Sequence, residues 1–227
     1  MFPLKDDIPA RRLPVVTLTL IAVNVLAFLF WRDGGTCDVV DYAVIPAELT
    51  GDAGGGSCTS APTWLTPLTA MFTHDGLLHL AGNMLFLWLF GRTVEGALGS
   101  VRFLAFYLVA GLAASAVLVA LGPDSQVPSI GAAGAISGVV GGYLMLFPRA
   151  RFISLAFLVF FVTIVAVPAL AYAGVWMLEQ VAFDLLDLTS MGADGGASYL
   201  TVIGGLAFGL LAMRLLAGRS RIGRLQV

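Results

Sequence analysis

The stretch VRFLAFYLVAGLAASAVLVAL, residues 101–121, has a single charged side chain, Arg102, in 21 residues. A helix that crosses a bilayer needs about 20 mostly apolar residues, so this stretch predicts a transmembrane helix. Comparable apolar runs recur on both sides of it. We therefore predict an all-α polytopic membrane protein, a bundle of six transmembrane helices. The predicted spans are residues 15–31, 79–98, 101–121, 130–147, 168–186 and 199–217.

The composition favours the same class of protein. Apolar residues make up 59% of the 227 residues, charged residues make up 11%, and the mean hydropathy is +0.94. Soluble domains have about 25% charged residues, so this chain has too few charges to cover a surface in water. The basic residues form no block of the kind that binds nucleic acid, and we expect no such partner. We also expect no cleavable signal, because residues 1–14 are polar and punctuated by prolines.

One segment allows two interpretations. Residues 152–186 are apolar over 35 residues, which is too long for one ordinary span. Residues 152–167 either cross the membrane themselves or lie along its inner face before the span at 168–186. A seventh span would place the basic C-terminal tail outside, against the positive-inside rule, so we prefer six spans with both termini in the cytoplasm.

The predicted organisation therefore has three parts. They are a cytoplasmic N-terminal segment at 1–14, a membrane domain at 15–217 with a large outer loop at about 32–67, and a basic cytoplasmic tail at 218–227. We expect the protein in the inner (cell) membrane of a bacterium, with the bilayer around it. Cys37 and Cys58 both fall in the outer loop. An oxidising outer compartment would allow a disulfide between them, and two free thiols are the alternative.

His79 and Asn83 are four residues apart near the outer end of the second span, so they share one helix face. Both side chains can donate hydrogen bonds, and two donors on one face suit an oxyanion hole. The alternative is that they satisfy each other or a backbone group between helices. We interpret the preceding His74 and Asp75 as solvated residues at the outer edge.

Glycines recur at four-residue spacing on two of the predicted spans. Small-residue stripes of this kind are helix-contact faces in membranes, so we predict that the fourth and sixth spans pack closely together. The glycines are Gly134, Gly138 and Gly142 on the fourth span and Gly205 and Gly209 on the sixth.

Three segments carry a resemblance to a known family. FTHDGLLHLAGNM, residues 72–84, resembles the second-span entry of the rhomboid intramembrane serine proteases, whose core is His-x-x-x-Asn. GAAGAISG at 131–138, running on to LFPRAR at 146–151, resembles the nucleophile helix, normally Gly-x-Ser-Gly. TVIGGLAFG at 201–209 is similar to the last span, normally Ala-His-x-x-Gly-x-x-x-Gly. Order and spacing match over about residues 66–216.

The resemblance implies a rhomboid-like fold and a defined chemistry. In the family, a serine on the fourth span attacks a peptide bond of a substrate's transmembrane segment, and a histidine on the sixth takes its proton. The second-span pair, here His79 and Asn83, would hold the oxyanion. This chain departs at both dyad positions, because Ala133 occupies the nucleophile position and Val202 the general-base position. Alanine has no hydroxyl and valine has no titratable group, so neither can replace the family's residue.

We therefore expect a rhomboid-type protein that has no proteolytic activity with Ala133 and Val202 at the dyad positions. Two explanations for the missing dyad stay open. One explanation is a natural pseudoprotease whose groove holds transmembrane segments without cutting them. The other is an inactivated version of an active serine endopeptidase. A small transporter or channel would show inverted repeats, which the sequence lacks. The expected partner is a transmembrane segment of another membrane protein that enters laterally, and family analogy favours segments with helix-destabilising residues.

We expect most of the other polar residues within the spans to have a structural role. Ser137 lies one turn from Ala133 without an evident base, and we expect it to bond its own helix. Arg92 precedes Glu95 by three residues and could pair with it, whereas Glu179 has no evident partner. No metal or organic cofactor is expected, because the sequence has no Cys/His cluster and no phosphate-binding glycine loop.

Overall fold

The computed structural model describes residues 2–9, 13–30, 40–51, 62–158, 161–191 and 198–225. Cys37 and Cys58, for which a disulfide and two free thiols are both open, lie outside these residues, as does half of the predicted outer loop. Helices dominate the described part of the chain. The helices are α1 (Val15–Phe30), α2 (Pro46–Thr50), α3 (Thr66–Thr69), α4 (Leu77–Phe86), α5 (Arg92–Leu98), α6 (Ser100–Leu121), α7 (Ala133–Leu146), α8 (Ala169–Met191) and α9 (Ser198–Leu225).

A π-helical turn, Leu87–Gly91, joins α4 to α5 so that they form one continuous helix. Short 3₁₀ turns also occur, at Val40–Tyr42, Thr63–Leu65 and Ala70–Phe72. Within the described residues, three helices are long and apolar enough to cross a bilayer, namely Leu77–Leu98, Ser100–Leu121 and Tyr199–Leu216. The chain is thus a polytopic, mostly helical membrane protein, and the count of six spans remains a prediction.

The helix α7 is too short to count as a span by itself. Its 14 residues rise about 21 Å, against about 30 Å for the hydrocarbon core. Almost every residue of α7 is buried, because α6 and α9 pack along it and the π-helical turn covers another side. A helix enclosed by protein does not need to match the thickness of the bilayer, and α7 therefore forms the centre of the bundle.

The segment after α7 differs from the interpretation of residues 152–167 as a transmembrane helix, and its position along the inner face of the membrane stays a prediction. It forms an antiparallel hairpin of β2 (Arg151–Leu158) and β3 (Phe161–Pro168), and β1 (Phe2–Asp6) pairs with β2 to give the order β1-β2-β3. The fold is therefore not strictly all-α. The hairpin sequence is rich in Phe, Val and Ile, which suit strands, and a continuous apolar run has no periodicity that separates strand from helix.

Glu95 joins α5 to the first turn of α1, at the opposite end of the bundle from the start of α4. Its carboxylate accepts bonds from the backbone N–H groups of Val16 (3.0 Å) and Thr17 (2.8 Å), and from the hydroxyls of Thr17 (2.8 Å) and Ser100 (2.7 Å). Glu95 is thereby a cap for the first turn of α1, where a helix favours negative charge.

The expected ion pair between Arg92 and Glu95 is wrong. Arg92 instead donates to the buried carboxylate of Asp6 at 3.0 Å, which also accepts from the hydroxyls of Thr93 (2.6 Å) and Tyr143 (3.1 Å). Asp6 belongs to β1, which the sequence analysis treated as a polar cytoplasmic segment. The partner of Arg92 is therefore distant in sequence, and helix spacing could not reveal it.

Candidate functional site

The candidate site lies where the start of α4 meets the start of α7. Gly131, just before α7, has φ +104°, a conformation that favours glycine. A β-carbon at this position would lie 2.7 Å from Nε2 of His79 and 3.8 Å from Nδ2 of Asn83. The Gly131 N–H donates to the carbonyl of Ala70 at 2.8 Å, which fixes the loop. A glycine is thus needed for both backbone conformation and space, and it brings the α7 backbone up to the two polar side chains.

The residues at the two predicted dyad positions are buried and apolar. Ala133 begins α7 with 8% of its surface exposed, and Val202 on α9 has 3% exposed. A β-carbon on Gly134 would lie 3.4 Å from Cβ of Thr201, so the residues next to Ala133 and Val202 meet in the α7–α9 interface. The two positions therefore lie at the same level of the bundle, but neither carries a nucleophile or a base.

The hydroxyl of Ser137 is engaged in the same interface. Ser137 is fully buried, and its Oγ donates to the carbonyl of Gly134 at 2.7 Å. The backbone of Gly205 packs against that Oγ. The hydroxyl is hydrogen-bonded within its own helix and does not point into an open site.

The glycines of α7 and α9 allow the two helices to meet at backbone distance. A β-carbon on Gly205 would collide with the carbonyl of Gly134, and one on Gly209 would collide with that of Gly138. Gly142 faces the side chains of Met213 and Phe106, so its contact is with α6 and α9 together. Close approach along this interface sets the positions of Ala133 and Val202 relative to each other.

Asn83 is only partly satisfied in the bundle. Its Nδ2 donates to the carbonyl of His79 at 3.2 Å, while its Oδ1 is buried without a hydrogen-bond partner among the described residues. The amide nitrogen carries two protons, so one N–H remains for a ligand. A carbonyl that enters beside Gly131 could accept a hydrogen bond from this N–H.

His79 is oriented by Asp75, a partner that the sequence analysis missed. Nδ1 of His79 lies 2.7 Å from Oδ1 of Asp75, one turn earlier, while its Nε2 faces Gly131. The hydrogen bond from His79 is the main cause that lowers the pKa of the Asp75 carboxyl, which keeps Asp75 ionised. The i, i+4 spacing of the two residues was the available signal. Nε2 donates a hydrogen bond when both ring nitrogens of His79 are protonated.

His74 is not the solvated residue that was expected. It is 2% exposed, and its ring meets that of His79 edge to face with centroids 4.9 Å apart. Burial, together with the charge of His79, lowers the pKa of His74 to about 4. Neither ring nitrogen has a hydrogen-bond partner within the described residues. His74 is thus a neutral imidazole packed behind the candidate oxyanion residue.

A narrow cavity lies beside the α7 start. Its lining is formed by the loop at 129–131, by α6 and by the first turn of α7, with the hydroxyls of Ser115, Ser129 and Thr201 nearby. Among the described residues, no three His, Cys, Asp or Glu side chains converge in a way that would hold a metal ion. The arrangement can therefore offer hydrogen-bond donors to a carbonyl group.

Comparison with known proteins identifies a matching family and several relatives of this chain. The chain matches the Rhomboid domain over residues 61–219. It is 35% identical to rhomboid protease GluP of Bacillus subtilis over 132 residues, which are 58% of this chain and 24% of that protein. It is 32% identical to the human mitochondrial presenilin-associated rhomboid-like protein over 136 residues, 58% of this chain and 33% of the relative. Rhomboid protein 1 of yeast mitochondria is 36% identical over 95 residues, 38% of this chain and 26% of the relative. The matched part of the chain thus spans a quarter to a third of these relatives.

Proposed function

This chain belongs to the rhomboid family of membrane proteins, and from that premise we propose that it binds transmembrane segments of other membrane proteins without cleaving them. The observation that carries the proposal is the pair Ala133 and Val202 at the nucleophile and general-base positions. Covalent catalysis by a serine requires both the hydroxyl and a base within hydrogen-bond reach. Neither is present at these positions, and the hydroxyl of the nearby Ser137 donates a hydrogen bond to the Gly134 carbonyl.

The features that would receive a peptide backbone are retained. Asn83 has a free amide proton, His79 presents Nε2 toward Gly131, and Gly131 opens the space between them. The free Asn83 N–H, joined by Nε2 of His79 when both ring nitrogens are protonated, suits the carbonyl of an extended or loosened segment rather than a regular helix, in which carbonyls are already bonded. Segments with helix-destabilising residues should therefore bind better than regular ones.

A lateral route to these donors is offered by α4 and α8. Trp176 of α8 stacks on Phe86 of α4 with ring centroids 4.9 Å apart, so aromatic side chains join the two helices at this level. Above that contact, the outer half of α4 exposes Leu77 and Leu78, which are 71% and 78% exposed. An apolar segment from the bilayer could approach between α4 and α8 and reach the level of Asn83.

A second candidate function is that of a serine endopeptidase which has been inactivated at the dyad alone. The intact surroundings of Gly131, His79 and Asn83 favour it. We further propose that the membrane domain covers residues 15–217, crosses the bilayer six times with both termini in the cytoplasm, and resides in a bacterial inner membrane. Reporter fusions at the predicted loops would test this topology.

The binding proposal is tested with the chain as it stands. Purified protein in lipid vesicles would be mixed with labelled transmembrane peptides, one regular and one with a central Gly-Pro-type break, and both binding and peptide integrity would be followed. We expect saturable binding, tighter for the broken helix, with every peptide recovered intact. Cleavage at a defined bond that a serine-reactive inhibitor blocks would overturn the proposal.

A further inference from the structure

An exposed carboxyl group, that of Glu179, lies on α8, which the proposed six-span topology places in the membrane. The exposed residues Val175, Leu178 and Ala182 surround it at helical spacing, and Val175 and Leu178 are 65% and 70% exposed. Glu179 is therefore the polar residue of an otherwise apolar stripe. It has no hydrogen-bond or ion-pair partner among the side chains that the structure describes.

The depth of Glu179 follows from the contacts of α8 with α4. Phe152, which follows α7, packs against both Phe90 and Tyr172, and Trp176 stacks on Phe86. Increasing residue number in α8 thus corresponds to decreasing number in α4, so the two helices run antiparallel. Helix rise is about 1.5 Å per residue, and Glu179 and Asn83 are each three residues beyond the Trp176–Phe86 contact in the same direction.

Glu179 is therefore at the level of Asn83, about 9 Å inside the outer end of the Leu77–Leu98 span. A carboxyl group at this depth is costly when hydrocarbon surrounds it, and such residues in proteins find a partner or mark a functional surface. The carboxyl group cannot reach the membrane surface by extending its side chain, because a glutamate side chain is shorter than the distance to the outer end of the span. None of the described residues supplies a hydrogen-bond donor to this group, so a bound segment can supply one.

We propose that Glu179 selects the bound segment. It does so by accepting a hydrogen bond from a donor side chain, such as Asn, Gln or Lys, that the partner helix carries at the level of Asn83. The inference rests on the proposed binding function and names its partner class: apolar transmembrane segments with one donor side chain in their outer half. Asn83 would receive the backbone of the segment, while Glu179, on the neighbouring helix, would receive its side chain.

The test uses two leucine-based transmembrane peptides that differ at one position, Asn or Leu, about 9 Å from the outer end. Each labelled peptide is co-reconstituted in lipid vesicles with the full chain, and binding is measured by energy transfer. We expect the Asn peptide to bind about 3- to 30-fold more tightly, the range that one interhelical hydrogen bond gives in a bilayer. Moving Asn to the inner half should remove the advantage.

Variants of the exposed stripe then show whether the preference for the Asn peptide depends on Glu179. Glu179→Leu should abolish the preference for the Asn peptide, so that the two peptides bind with equal affinity, and Glu179→Gln, which keeps an acceptor, should retain part of the preference. Leu178→Ala, one residue away on the same exposed face, should affect both peptides equally. A preference that survives Glu179→Leu, or equal binding of both peptides by the unaltered chain, would overturn the role of Glu179 and leave the binding function standing. Failure of every peptide to bind would overturn both proposals.

Discussion

His79 and Asp75 form a hydrogen-bonded pair, with Nδ1 of the histidine 2.7 Å from Oδ1 of the aspartate at the start of α4. The carboxylate fixes the ring so that Nε2 points at Gly131, the backbone position that leads into α7. His74 packs edge to face against the same ring. His79 is thus positioned to contact a ligand, and His74 is a buried ring behind it whose burial disfavours protonation.

His74→Phe should make the protein less sensitive to acid. Burial, and then the charge of His79, lower the pKa of His74 from 6.5 to about 4. Between these values the unfolded chain binds more protons than the folded one, so stability falls as the pH drops from 6.5 toward 4. The full shift corresponds to about 3 kcal/mol. Thermal unfolding in detergent between pH 7 and pH 4 measures the loss, which the variant should largely escape.

The Asp75 carboxyl provides the internal control for this profile. Its pKa is lowered, mainly by the His79 hydrogen bond, so its stabilising contribution is present above the ordinary carboxyl pKa of about 3.9 and is lost only below it. Asp75 is largely exposed, and removing it should cost about 0.5 kcal/mol at neutral pH. Asp75→Asn should therefore leave the loss between pH 6.5 and 4 in place. An identical acid profile for the unaltered chain and His74→Phe would contradict the assignment to His74.

The double change Ala133→Ser, Val202→His should restore cleavage of a model transmembrane substrate. The two positions lie at the same level of the α7–α9 interface, and Asn83, His79 and Gly131 form the proposed carbonyl-binding site. If that proposal holds, the nucleophile and the base are the groups that remain to be supplied. Each single change should stay at background, because a serine without a base and a base without a serine are both ineffective. The assay compares the four proteins in liposomes by product formation.

Two outcomes of that assay would redirect the interpretation. Cleavage by Ala133→Ser alone would mean that another group acts as the base. No cleavage by the double variant, with its folding intact, would mean that the groove has diverged beyond the dyad and would favour a dedicated binding protein. Ser137→Ala in the double variant should leave the rate unchanged, because its hydroxyl is bonded to Gly134.

The sequence predicted those features that depend on local spacing. The helix positions follow from apolar runs of bilayer length, and the i, i+4 relation places His79 and Asn83 on one face. The hairpin at 151–168 escaped prediction because a run without polar residues has no period that distinguishes a strand from a helix. Its pairing with β1 joins residues nearly 150 positions apart, such as Asp6 and Phe152.

Two polar assignments failed for the same reason. Arg92 and Glu95 are neighbours on one helix, but each has a better partner from the N-terminal region, Asp6 for the arginine and the first turn of α1 for the glutamate. His74 was expected in water, yet the packing of the α4 entry buries it. Tertiary contacts of this kind are set by the whole bundle, and a single sequence holds no local signal for them.

Glu95→Ala should destabilise the fold strongly. Four hydrogen bonds to the carboxylate would be lost, and the first turn of α1 would be left with unsatisfied N–H groups in a buried site. We expect a loss of about 3 kcal/mol or more, with Glu95→Gln intermediate because it keeps one acceptor oxygen. Thermal unfolding in detergent measures both. The matched control is Glu179→Gln on the exposed face of α8, and a similar loss in that variant would mean that the effect is not specific to the cap.

Gly209→Ala should disrupt the α7–α9 interface, whereas Gly96→Ala should not. A β-carbon on Gly209 would collide with the backbone carbonyl of Gly138, while one on Gly96 meets nothing within 4 Å. Forcing a methyl group against backbone costs about 1–3 kcal/mol or more, and replacing a helical glycine in open space gains about 0.5–1 kcal/mol. The melting temperatures in detergent should therefore move in opposite directions. Equal shifts would show that the glycines of α9 have no special part in bringing the two helices together.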